Sequence, residues 1–275
     1  MTSPAPDAPQ SGWGRPVGTL RQFVVKTAVM AELEIRKLSH DPTELLLRAV
    51  QPALWLLIFG EVFTRVRAIP TGPLPYLDYM APGILAQSVL FIAIFYGIAI
   101  IWERDLGIVQ KLLVSPTPRT ALVLGKAISA GIRGVSAAII IYGLAMALGV
   151  RVNGQLGAII ALLVSVMLGA ACFSTLSLII ACVVKSRERF MGIGQILTMP
   201  LFFASSALYP IALMPRWLQI VACVNPLTYE VDALRALMLR GGTSVCGLGT
   251  DFTVLLGVTI GLVMIAGRLY PHVVT

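Results

Sequence analysis

An all-α integral membrane fold is predicted by three features: long apolar runs, polar residues gathered in short islands between them, and a composition far from that of a soluble domain. Of the 275 residues, 57% are hydrophobic and 12% charged, against roughly 25% charged in an ordinary soluble domain. Mean hydropathy is +0.87. Six runs, near Leu45–Phe63, Met80–Ile101, Ala121–Gly149, Leu156–Val184, Phe190–Leu208 and Phe252–Tyr270, each compare with the roughly 20 apolar residues that a hydrocarbon core requires. They predict six transmembrane helices.

Ahead of the first run, Met1–Arg15 is rich in Pro, Ala and Ser and has no apolar segment. It reads neither as a signal peptide nor as folded structure, so residues 1–17 are expected to be a disordered tail and 18–275 one domain. From Gly18 to His40, Val24, Ala28, Ala31, Ile35 and Leu38 share one helical face, while Glu34, Arg36 and Lys37 lie elsewhere, and Asp41-Pro42 stops the helix. This predicts an amphipathic helix on the inner leaflet, with a soluble partner-binding helix as the competing reading. Within the runs, Glu61 is read as the one carboxylate well inside an apolar stretch, snorkelling to the outer interface. Arg133 is read as marking the cytosolic boundary of the third run.

The distribution of Lys and Arg sets the orientation. The N-terminal segment carries Arg15, Arg21, Lys26, Arg36, Lys37 and Arg48, a second polar segment Arg104, Lys111 and Arg119, and a third Lys185, Arg187 and Arg189. The alternate loops are poorer. Positive-inside therefore places both termini in the cytosol, along with the second and third of these segments. The net charge of +8 is accounted for by these topology signals. It forms no basic stripe with interleaved aromatics of the kind that binds nucleic acid.

Enzyme chemistry is hard to find. His40 and His272 stand at opposite ends of the chain and match no metal-ligand spacing. Gly125-Lys126 is followed by Ala127 where a nucleotide-binding loop needs Ser or Thr, so the chain is not expected to hydrolyse ATP itself. Cys172 and Cys182 lie too far apart on one helix to bridge. Cys223 and Cys246 share an external segment where oxidation is permitted, leaving a disulfide open. Small residues at Ser165 and Gly169, and at Gly257 and Gly261, favour close helix packing within or between chains.

Two stretches carry the functional signal. The first, Trp102–Arg119, WERDLGIVQKLLVSPTPR, is a charged island between two spans. Leu106, Val109 and Leu113 recur at i, i+3 and i+7, as on a short helix offering an apolar stripe to a soluble partner, or an ordinary loop with a helical turn. The second is Ala204–Gly242. Tyr209-Pro210, Met214-Pro215, Trp217 and Asn225-Pro226 break it into short pieces, followed by a helix bearing Tyr229, Glu230, Asp232 and Arg235. Broken segments near a membrane persist only when packed within protein or lining a wet cavity.

These motifs resemble those of type-2 ATP-binding-cassette export permeases, especially those similar to daunorubicin-resistance permeases. The resemblance rests on Ser-x-x-Tyr-Pro-x-x-x-Met-Pro-x-Trp-Leu, Asn-Pro-Leu-Thr-Tyr-x-x-x-x-x-Arg, and the island's Glu103-Arg104 opening and Leu112-Leu113-Val114-Ser115-Pro116 ending. Ser206-Ala207-Leu208 departs from the family, where many members have a glycine before the aromatic. The resemblance implies a permease without its own ATPase site, paired with a second permease copy and two cytosolic ATPase subunits that bind ATP and Mg. It implies an interface helix over 18–40, a coupling helix over 103–116 and external re-entrant helices over 209–240. Glu103 and Arg104 would make charged contacts with the ATPase, Leu106, Leu112 and Leu113 would fill its groove, and Ser115 and Pro116 would complete the coupling segment. Tyr209, Pro210, Met214, Pro215, Trp217, Asn225, Pro226, Tyr229 and Arg235 would form an external gate.

The expected cargo is an amphipathic drug-like molecule or a lipid, carried out of a bacterial cytoplasmic membrane. A polysaccharide pathway would call for aromatic lining, and only 8% of residues are aromatic. The alternative is an ion- or proton-coupled carrier, which requires paired ionisable groups in the membrane.

Overall fold

The computed structural model describes residues 50–66, 69–72, 74–107, 119–184 and 186–270, with the backbone alone for 119–122. The expected interface helix, with Glu34, Arg36 and Lys37, and the segment holding Leu112, Leu113, Ser115 and Pro116 lie outside these residues.

The described chain is helical, with one isolated antiparallel bridge between Val152 and Leu239. Helix α1 runs over 50–66 with a π-helical stretch at Trp55–Gly60. Then come α2 Tyr76–Phe95, α3 Gly97–Asp105, α4 Arg119–Ala147, α5 Leu156–Val183 and α6 Arg187–Phe203. A 3-10 turn at Ile211–Leu213 precedes α7 Arg216–Val224, α8 Pro226–Met238 and α9 Leu248–Leu269.

Four stretches among the described residues are long and apolar enough to cross a membrane: Tyr76–Asp105, Val123–Ala147, Leu156–Val183 and Leu248–Leu269. The first joins α2 and α3 across a bend at Tyr96, where the Ser177 hydroxyl of α5 donates to the Ile94 carbonyl. A polar group inserted into the helical ladder is an ordinary cause of such a bend. The first apolar run begins before the described residues. The fifth, expected over Phe190–Leu208, is corrected: its helix starts at Arg187, where the Ser186 hydroxyl accepts from the Arg189 amide, and stops at Phe203.

Helix α5 is the centre of the bundle and packs against α2, α4, α8 and α9. Its 28 residues include no charged side chain, so every face is suited to protein or lipid. One apolar core joins α1, α2, α4, α5 and α8 around Leu85, Leu90, Phe173 and Leu234. A second, around Phe190, Ile101, Leu178 and Tyr270, closes the end where α3 finishes.

The polar island does not begin as a new helix. Glu103, Arg104 and Asp105 form the last turn of α3, and the chain turns at Leu106 and Gly107. Gly107 has φ of 71°, a left-handed conformation that costs glycine least and ends a helix by donating back, here to the Arg104 carbonyl.

Candidate functional site

Two polar regions lie at opposite ends of the bundle. At the first, Lys126 of α4 pairs with Glu103 of α3 at 2.5 Å. Asp105 accepts from Arg187 of α6 at 2.8 Å and from Arg104 at 3.2 Å, and the Arg187 guanidinium lies 4.3 Å from the Trp102 ring centroid. Glu103 and Asp105 thus join three helix ends into one charged collar. Leu106 stands beside it, 69% exposed. Above the collar, Ile92, Phe95, Tyr96, Trp102, Glu103 and Arg133 line a groove of ≈ 870 Å³. Its apolar wall and two charged groups suit an amphipathic molecule. Arg133 sits over the Tyr96 ring at 5.1 Å.

At the other end the chain after α6 leaves helical geometry while still buried: Ala204, Ser205, Ser206, Ala207 and Leu208 are all buried. Backbone at such depth needs partners for its carbonyls, and side chains from two helices supply them. Asn225 donates through Nδ2 to the Leu201 and Ala204 carbonyls at 2.7 and 3.2 Å. Tyr79 and Arg235 both donate to the Ser206 carbonyl, at 3.2 and 2.6 Å, and Tyr76 donates to that of Leu208 at 3.1 Å. Gly83 of α2 lies directly against the Ala207 backbone, where a Cβ would overlap it. The segment that departs from the family pattern is therefore accommodated by a glycine on α2, across the contact.

Asn225 has a second task. Its side-chain oxygen accepts from the Leu227 amide at 3.0 Å and caps α8, while Pro226 fills the first helical position, where no amide donor is needed.

The residues expected to form a gate divide into groups. Asn225 and Arg235 hold the 201–208 segment. Tyr209 and Tyr229 each donate to a carbonyl six residues back, that of Phe203 at 2.6 Å and that of Cys223 at 2.7 Å. Met214 is buried and its carbonyl accepts from Gln219, while Pro210 and Pro215 stand before the 3-10 turn and α7. Trp217 is 66% exposed on α7. Cys223 and Cys246 are exposed free thiols.

Buried acids were missed by the sequence reading, which singled out Glu61. Glu61 is exposed and pairs with Arg65 one turn away. Among the described residues, Asp78, Glu230, Asp232 and Asp251 are the buried carboxylates. Asp78 accepts from Arg151 at 3.2 Å. Asp232 and Asp251 converge on the Ser244 hydroxyl at 3.0 and 2.8 Å, and Asp232 also accepts from the Cys246 amide. Asp232, Cys246 and Asp251 are brought together although their sequence spacing matches no ligand pattern. The available signal was the small-residue pair Ser165 and Gly169: Gly169 faces Glu230, whereas Gly257 and Gly261 face open space.

Residues 26–239 match the model of the ABC-2 type transporter membrane family. The chain belongs to the ABC-2 type transporter family. Among its relatives is a putative transport permease, ycf38, of Cyanophora paradoxa, 30% identical over 78% of this chain and 74% of the relative. The daunorubicin resistance ABC transporter permease protein DrrB1 of Streptomyces coeruleorubidus is 27% identical over 85% of this chain and 81% of its own. A probable doxorubicin resistance ABC transporter permease protein, DrrC, of Mycobacterium tuberculosis is 24% identical over 80% and 79%. The resemblance read from the motifs is thereby established. In this ABC-2 permease the Asn225–Arg235 signature is the helix that holds the broken backbone after α6.

Proposed function

We propose that this chain is the transmembrane subunit of an ATP-driven exporter that moves an amphipathic drug-like molecule or a lipid out across a bacterial cytoplasmic membrane. The observation that carries this reading is the family match over 26–239, together with relatives named as drug-resistance permeases. In this arrangement six spans place both termini in the cytosol, and residues 209–240 form external re-entrant helices. The charged collar at Glu103, Asp105, Lys126 and Arg187 faces two cytosolic ATPase subunits, which bind ATP and Mg. A second permease copy, identical or a sister, completes the pathway.

Closure of the ATPase dimer would push on the segment that leaves α3 at Gly107. Because α3 is tied to α4 and α6 through the two acid–base pairs, the push would move three helices together. A ligand-driven shift of this kind requires different contacts in the two states, and the collar supplies contacts that can break and reform.

The test is a mild-detergent purification from native membranes. Co-purification of an ATPase subunit, with ATP hydrolysis stimulated by an amphipathic drug or a lipid, supports the proposal. A chain that purifies alone and is driven by a reconstituted proton gradient would be a secondary carrier instead.

A further inference from the structure

Among the described residues, the carboxyl of Glu230 is fully buried with both oxygens unpartnered. It projects from α8 onto Gly169 of α5, where a Cβ would overlap the carboxyl itself. Cys172, one turn further along α5, is buried as well. Ser165 on the same α5 face is buried and likewise has no partner for its hydroxyl. A small-residue face on the central helix thus makes room for one acidic side chain and offers it no cation.

The surrounding charges confirm that no ion pair is within reach among the described residues. Helix α5 has no charged side chain. The charged residues of α9 are Asp251, which accepts from Ser244, and Arg268 in its last turn. On α8 itself, Asp232 is held by Ser244 and the Cys246 amide, and Arg235 by the Ser206 carbonyl and the Tyr79 ring. On α2, also packed on α8, Asp78 pairs with Arg151, while the hydroxyls of Tyr76 and Tyr79 donate to carbonyls of the 201–208 segment, and Arg216 of α7, the remaining helix against α8, is exposed. An ionised carboxylate sealed from solvent with no cation or donor beside it is among the least favourable states a protein interior can hold, and such a group takes up a proton instead.

We infer that Glu230 is a proton-binding site: its carboxyl is held as the neutral acid while α8 is docked on α5, and it exchanges that proton only when α8 parts from Gly169. Docking and protonation are then linked. In the parted state the carboxyl meets water and ionises in the ordinary carboxylate range, about pH 4.3. Each pH unit above that range disfavours the docked state about tenfold, until the docked acid itself ionises. Acid therefore favours the docked arrangement, and alkali favours the parted one. The inference rests on the packing of α5, α8 and α9 and stands independently of the cargo.

The experiment uses the full chain purified in lipid nanodiscs. Infrared spectroscopy at about pH 7 is expected to show the C=O stretch of a protonated acid in the wild-type protein and to lose that band in Glu230→Gln. On the wild-type protein alone, amide exchange of residues 226–238, corrected for intrinsic rates, is expected to give an opening constant that rises with pH. An infrared band that survives in Glu230→Gln, or a wild-type opening constant that stays level with pH, would overturn the inference. Loss of transport with both signatures intact would count against the exporter reading and leave the proton site standing.

Discussion

The Arg235 guanidinium lies 3.9 Å from the centroid of the Tyr79 ring, and the two side chains donate to one carbonyl, that of Ser206. A residue of the C-terminal sequence signature and a residue of the second helix thus serve the same stretch of irregular backbone. The pair combines a charge-assisted hydrogen bond with a cation–π contact in a buried setting, where each is worth more than at a surface.

Arg235→Lys keeps the charge but loses the planar stacking and the fixed direction of the donor. It is expected to lower stability by about 1–3 kcal/mol, and Arg235→Leu by more, because the Ser206 carbonyl then loses its stronger donor. Thermal unfolding in detergent, followed by intrinsic fluorescence, reads both. An Arg235→Leu protein as stable as wild type would mean that water replaces the guanidinium.

Glu103→Lys places two cations where Glu103 and Lys126 now pair. Substrate-stimulated ATP hydrolysis by the reconstituted complex is expected to fall several-fold while the permease stays in the membrane. The swap Glu103→Lys with Lys126→Glu restores the attraction and is expected to recover most of the activity. Failure of the swap to rescue would mean that Glu103 acts by touching the ATPase directly.

Gly83→Ala drives a methyl group into the Ala207 backbone. Backbone on one side and a helix on the other leave little freedom to relax, so a loss of about 1–3 kcal/mol is expected. Gly143 has open space around its Cβ position, and Gly143→Ala is expected to stay within about 0.5 kcal/mol or to stabilise the helix slightly. Equal effects at the two positions would contradict the close packing of α2 on the 204–208 segment.

Cys223 and Cys246 are exposed at the end of the bundle opposite the charged collar. A membrane-impermeant maleimide added to intact cells should label both, and leave Cys172 and Cys182, which are buried, unmodified. Labelling only in inverted vesicles would reverse the proposed topology.

Much of the fold was legible from hydropathy, because a membrane span must be apolar along its whole length and the signal accumulates over some 20 residues. The segments Met80–Ile101, Ala121–Gly149, Leu156–Val184 and Phe252–Tyr270 all fall on long apolar helices. The end of the fifth run was not legible. Ala204–Leu208 is as apolar as the helix before it, and where it leaves the helix its backbone is satisfied partly by its own Ser205 and partly by Asn225, Tyr76, Tyr79 and Arg235, which are distant in sequence. The start of the polar island was not legible either: the apolar run ends at Ile101, but the helix continues through Asp105, where Lys126 and Arg187 pair with Glu103 and Asp105.

By itself the amino-acid sequence determined that this is a helical membrane protein of the permease type, because composition and ordered local motifs need no partner to be read. Only the tertiary structure decided which charged residues are buried and what they hold. Glu230 and Glu61 are the same chemical group, yet one lies against Gly169 with no partner and the other is exposed beside Arg65. Burial is a property of the surface that packs against a side chain. Here that surface comes from helices distant in sequence, so no local pattern contains it.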